Sequence, residues 1–376
     1  MDVVLPALLV LVLLAAWVYL PIAPAVRELY DRTDVAPVRV VQESAVDVRY
    51  FARNFRRFVD EHMGAALARC REDGATQHGQ LPEGIPFIVV DHWDPKEPPA
   101  GVIACCGTLR LPARGVFRFE IYAAESVIGG EMGVYKALLA EDSIMLAPQS
   151  LSLRWLHAES TIRVGRNSRL HGRVSAGRAI EIGDGCAFER LNAPRIAFGR
   201  DIRVDLPAVQ EVPITAGDVP GVVDTAAGRW LVLGALRLPV AARVDSDIVA
   251  TGDVRVSRGA RLAGSVKSHR DVYLGRGVRV DGSVVAGRNL HLSEGCRIHG
   301  PVLAEGAVFA GAGCHFGSPE APTTVSARRV HLAEGAVAHG TVWAHDEGVV
   351  AAQTMPVQGL ERRQDEERGH DTEDGV

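Results

Sequence analysis

The chain has 376 residues, 47% of them hydrophobic but only 6% aromatic, with 39 glycines. That is length enough for more than one domain, and it implies a core of small aliphatic side chains. A net charge of −5 is mild, so nothing argues for a nucleic-acid partner and none is expected. The six cysteines (Cys70, Cys105, Cys106, Cys186, Cys296, Cys314) have no CxxC spacing, so neither a disulfide framework nor a zinc motif is indicated.

Val3–Val26 is a run of 24 residues without a charge. As a helix it would be about 36 Å long, enough to cross a hydrocarbon core of roughly 30 Å. Trp17 and Tyr19 lie near one end, and Pro21 and Pro24 end the regular helix. Arg27, Arg32, Arg39 and Arg49 follow the run and no Lys or Arg precedes it. The positive-inside rule then predicts a single-pass anchor in the inner membrane, residues 1–26, with the rest of the chain cytoplasmic. A cleaved signal peptide is the rival reading, but it lacks a basic n-region.

Residues 27–120 are expected to hold a juxtamembrane helix and a small α+β segment. In "VDVRYFARNFRRFVDEHMGAAL", Phe51, Phe55, Phe58, Val59 and Met63 recur at three- and four-residue spacing, one face of a helix. Arg49, Arg53, Arg56 and Arg57 crowd beside it. The favoured reading packs this helix on the next domain; a helix lying on anionic lipid is the alternative. "PFIVVDHW", "GVIACCG" and "GVFRFEIY" read as strands. Cys105 and Cys106 are adjacent, so in a strand they face opposite sides.

From 121 to 350 the chain counts in sixes. Apolar or small residues recur at Ile144, Ser150, Leu156, Ile162, Ser168, Val174, Ile180 and Cys186. They recur again from Trp230, Leu236, Ala242 and Ile248 through Val266, Val284 and Val302 to Cys314, then at Thr324, Val330, Ala336 and Val342 after a slip. A second apolar or small residue stands two places after most of them, as in Val256, Leu274, Leu292 and Ile298. In a strand, i and i+2 share a face. Each hexad is therefore a short strand with two inward residues and a turn, and three hexads close one triangular coil. Gly259, Gly277, Gly295 and Gly313, like Asn167 and Gly185 earlier, stand where a corner needs positive φ. The predicted fold is an all-β solenoid, a triangular β-helix of 18-residue coils, preceded by one transmembrane helix and the α+β segment. Residues 206–229 break the pattern and read as a loop ejected from the stack. The tail 351–376, dense in charge, reads as disordered.

"VYLGRGVRVDGSVVAGRN" resembles the coils of the bactofilins, polymer-forming bacterial cytoskeletal proteins. The resemblance covers about 121–350 and is most specific at 248–317. It implies end-to-end assembly without nucleotide, often at a membrane. "LGRGVR", "VDGSVV" and "LSEGCR" also resemble the hexapeptide units of left-handed β-helix acyltransferases. That weaker resemblance implies a catalytic His; His345 beside Asp346, and then His157, are the candidates. His171, His299 and His339 precede a corner Gly, and His291 and His331 share a coil position, so these read as outward side chains. A zinc pair from His299 and His315 lacks a third ligand at a recognisable spacing. The expected function is a non-enzymatic, membrane-anchored scaffold without cofactor. Its expected partners are itself, the membrane through residues 3–26, and further proteins. With no capping helix in view, Val342, Trp343 and Val349 are expected at an open C-terminal coil end that another copy could cover.

Overall fold

The computed structural model describes residues 47–92, 101–202, 204–225 and 228–351. The expected anchor and the charged tail beyond Ala351 lie outside the described residues. Among the described residues no helix is long and apolar enough to cross a membrane.

Among the described residues, helix α1, Tyr50–Asp73, precedes a succession of strands, most of them short, that wind into a solenoid of about 14 turns. The hexad rule is obeyed to the residue over most of its length. Every inward position named from Ile144 to Cys186, and from Trp230 to Cys314, is at most 2% exposed. Val266 pairs in parallel with Val284, and Val284 with Val302, each one coil further on. Like thus stacks on like, and each buried valine is worth about 1.5–3 kcal/mol over an exposed one. Gly259, Gly277, Gly295 and Gly313 have φ between 63° and 70°, and Asn167 and Gly185 share that conformation. The inward serines are satisfied at the corners. Ser150 and Ser168 donate to the carbonyls of Ala147 and Gly165, each at 2.7 Å.

Four expectations need correction. First, the solenoid starts before residue 121. Ile88 pairs with Ile103 and Ile103 with Ile121, so the strand runs from Pro86 onward belong to the first coils rather than to a separate segment. Second, Val325 rather than Thr324 continues the inward series, because it pairs with Val302. The inserted turn is one residue longer than the slip assumed, and a bulge after Ala327 restores the phase at Val330.

Third, the segment expected as a loop at 206–229 is not ejected, as far as its described residues show. With the residues from 199 on, it runs back as a strap along the glycine corners of the second stack of coils. A Cβ built on Gly335, Gly313, Gly295 or Gly259 would meet Ile202, Val204, Leu206 or Val209 at 3.0, 2.6, 3.0 and 2.9 Å. Glycine is needed there twice over, for positive φ and for the strap's approach. Past Glu211 the strap becomes a cap. Val212–Pro213 pairs with Ala242–Arg243, and Val222–Thr225 pairs antiparallel with Arg229–Val232. Ile214, Ala216, Val219 and Val222 pack on the core between them.

Fourth, the C-terminal coil end is not open. Strand Ala187–Phe198, the last coil of the first stack, lies antiparallel to strand Ala336–Ala351, the last coil of the second. All three sides of the prism join: Leu191 faces Val342, Ile196 faces Ala338, and Ala187 faces Val349. Asn192 Nδ2 donates to Thr341 Oγ1 at 2.8 Å across the seam. Two stacks therefore meet tail to tail in one chain, and a single apolar core runs through both.

Candidate functional site

The outward residues of the second stack form three columns of different chemistry, each generated by one side of the triangle. The first is mostly apolar, interrupted by Lys267 and Ser326: Leu231, Val249, Lys267, Val285, Leu303, Ser326 and Trp343 are successive in-register partners. Its continuation across the seam is the side of the first stack that α1 covers. There Val59, Met63, Ala66, Leu67 and Cys70 bury against Val89, Ala104, Tyr122, Leu139 and Trp155. Arg56 ties the helix down through Glu141 at 2.7 Å and Glu159 at 2.6 Å. Of the five residues that mark the helix stripe in the sequence, Val59 and Met63 are buried, Phe55 and Phe58 are partly buried, and Phe51 lies at the rim. Cys105 faces the coil core and Cys106 faces the helix, where its Sγ is 3.3 Å from that of Cys70. Burial pushes the Cys106 thiol up to about 12, so it is inert as a nucleophile at neutral pH.

The second column is a ladder of rings. Tyr273, His291, Phe309 and His331 stack with centroids 4.7, 4.9 and 4.9 Å apart and planes within 10° of parallel. Arg255 caps it, 5.0 Å from the Tyr273 ring. These spacings match the strand repeat, so the coil itself sets the stacking distance. Burial lowers the basicity of His291 and His331.

The third column is basic: Arg243, Arg261, Arg279 and Arg297, then His315. Between it and the strap opens a cavity of about 470 Å³, lined by Arg258, Arg261, Arg276, Arg279, Glu211 and the apolar strap residues.

The histidine candidates do not converge. His345 Nε2 is 3.1 Å from Ser326 Oγ and its ring stacks on Trp343 at 4.2 Å, while the neighbouring Asp346 serves Arg328 at 3.2 Å. His157 has more of a constellation, which the sequence hid because its partner lies one coil away. Its Nδ1 is 2.7 Å from Ser175 Oγ and its Nε2 is 3.3 Å from Glu159. Both His157 and Ser175 are 2% exposed, sealed beneath α1. A serine nucleophile needs an open face for its acyl donor, so this network reads as a polar tie under the helix. Among the described residues no three His, Cys, Asp or Glu side chains group as a metal site, and His299 is engaged by Asp281 at 3.3 Å. Of the residues expected at an open end, Val342 is buried against Leu191, Trp343 lies under Arg190 at 4.6 Å, and Val349 pairs with Ala187.

Neither a family model, nor a curated protein, nor a solved structure matches the chain.

Proposed function

We propose that the chain is a β-helix scaffold of the bactofilin type, tethered to the inner membrane by residues 3–26, self-associating, and organising envelope-associated partners on its cytoplasmic faces. The observation that carries this reading is the seam. Two coil ends of this sequence join edge to edge on all three sides, so strand pairing between coil ends is a stable way of adding length. Self-association then belongs at the start of the second stack. There the cap covers two sides, whereas Leu236–Leu238 pairs only with Val254–Val256 among the described residues. Leu233, beside that free edge, is 86% exposed. A free strand edge flanked by apolar side chains is a template for pairing.

Sedimentation and electron microscopy of the full chain in mild detergent test this. Assembly that Leu233→Lys with Leu231→Lys abolishes, and that Val349→Lys leaves intact, supports the reading. A strictly monomeric wild type at high concentration refutes it. The alternative, a membrane-tethered acyltransferase, has only His157 with Ser175 and Glu159 to draw on, and both His157 and Ser175 are buried without an open face for an acyl donor. It requires thioester hydrolysis or transfer that His157→Gln removes.

A further inference from the structure

Stacked arginines repel unless counter-charge reaches them, since like charges directly opposite in a ladder are destabilising. In the arginine column the requirement is met unevenly. Arg243 pairs with Asp245 at 3.1 Å and Arg261 with Asp281 at 3.1 Å. At the corner beside it, Arg276 reaches Glu294 at 3.5 Å and donates to the Asp205 carbonyl of the strap at 3.1 Å. Arg258 and Arg279 line the same cavity, and no carboxylate of the described residues lies within ion-pair distance of either. They belong to neighbouring coils, one strand spacing of about 4.8 Å along the axis.

We propose that this cleft is a binding site for a small soluble polyanion carrying two or more phosphate-like groups, held between the strap and the arginine column. Its volume, about 470 Å³, is within the range of small-molecule sites. One wall is basic, and guanidinium forks match phosphate oxygens bidentately. The other wall, Leu206, Pro207 and Val209, is apolar. Leu206 and Val209 are held against the glycine corners, so the cleft is formed before a ligand arrives. Two forks on successive coils select an anion with at least two charged groups. Glu211 also lines the cavity and faces Arg261, which puts a single weak anion at a disadvantage against one that engages both free forks. The site is independent of the scaffold reading.

Titration calorimetry of the full chain with sodium tripolyphosphate, at near-physiological salt, tests the proposal, with orthophosphate as the comparison. Tripolyphosphate should bind at least tenfold more tightly than orthophosphate. Arg258→Gln with Arg279→Gln should weaken it by about a hundredfold, roughly tenfold for each charge-assisted fork. Arg178→Gln with Arg288→Gln removes the same charge from exposed positions outside the cavity and should change affinity by less than about threefold. Tripolyphosphate should also slow tryptic cleavage within residues 199–228 of wild type, and not of the cavity variant. Thermal melting checks that both variants fold. Absence of tripolyphosphate binding by wild type overturns the site. So does equal loss in the two double variants, which reduces the effect to general charge attraction.

Discussion

At the scale of residues, the coil interior tolerates almost nothing charged. Val284 is fully buried between Val266 and Val302. Val284→Asp should destabilise the second stack by several kcal/mol, the cost of a buried carboxyl without a partner. Circular-dichroism melting checks it, and an unchanged transition would contradict the hexad register. The imidazoles carry the second prediction. Burial depresses the basicity of His157, His291, His315 and His331 below the ordinary value of 6.5. Between each depressed value and 6.5 the unfolded chain binds more protons than the folded one. The stability they contribute is present above about pH 6.5 and is lost as pH falls. Melting temperature should therefore drop from pH 7.5 to pH 5.5, and His291→Gln should shrink the drop. A melting temperature that rises on acidification would exclude this linkage. These residues also mark where reading by sequence succeeds. An inward Val or Cys announces itself every sixth position because the coil repeats. The pairing of His157 with Ser175 follows from that repeat too, yet needs the coil closure to become visible.

At the scale of elements, the strap and α1 lie outside the coils, and each covers one outer surface. The strap is held by four apolar side chains seated on glycine corners. Leu206→Lys should free its centre, so that protease cuts within 199–228 at least tenfold faster. Loss of about 1–2 kcal/mol of stability should accompany this, since one partly buried leucine is forfeited. Equal cleavage rates in wild type and variant would show that the strap is not held there. The alternation of Ile202, Val204 and Leu206 was open to inspection, but an isolated i, i+2 run without its partner surface reads as loop. For α1 the opposite held: its stripe was clear, and the surface receiving it was hidden inside strands that alternate for two reasons at once.

At the scale of the whole molecule, the seam decides cooperativity. A solenoid is stabilised by nearest-neighbour interfaces, and its ends fray first. Here the two C-terminal coil ends are internal. Hydrogen exchange should be slowest around Leu191 and Val342 and faster toward Leu236. Leu191→Asp, placed against Val342, should split one melting transition into two or lower it by several kcal/mol. A single unshifted transition would show that the stacks do not depend on the seam. No periodicity predicts such a seam, because among the described residues the antiparallel joining of two coil ends, as at 187 and 349, occurs once.

The strap also acts as a ruler. It must start at the seam and deliver its cap to the far coil, and its seven steps from Ile202 to Val209 span the corners from Gly335 to Gly259. Four coil intervals of about 4.8 Å are about 19 Å, and seven extended residues reach about 23 Å. Each coil therefore corresponds to one or two strap residues. Duplicating an 18-residue coil in the second stack would leave the strap short and the cap undelivered unless it gained residues in step. Open solenoids can grow or shrink by whole coils. This one has its length written twice, once in hexads and once in the thread that measures them.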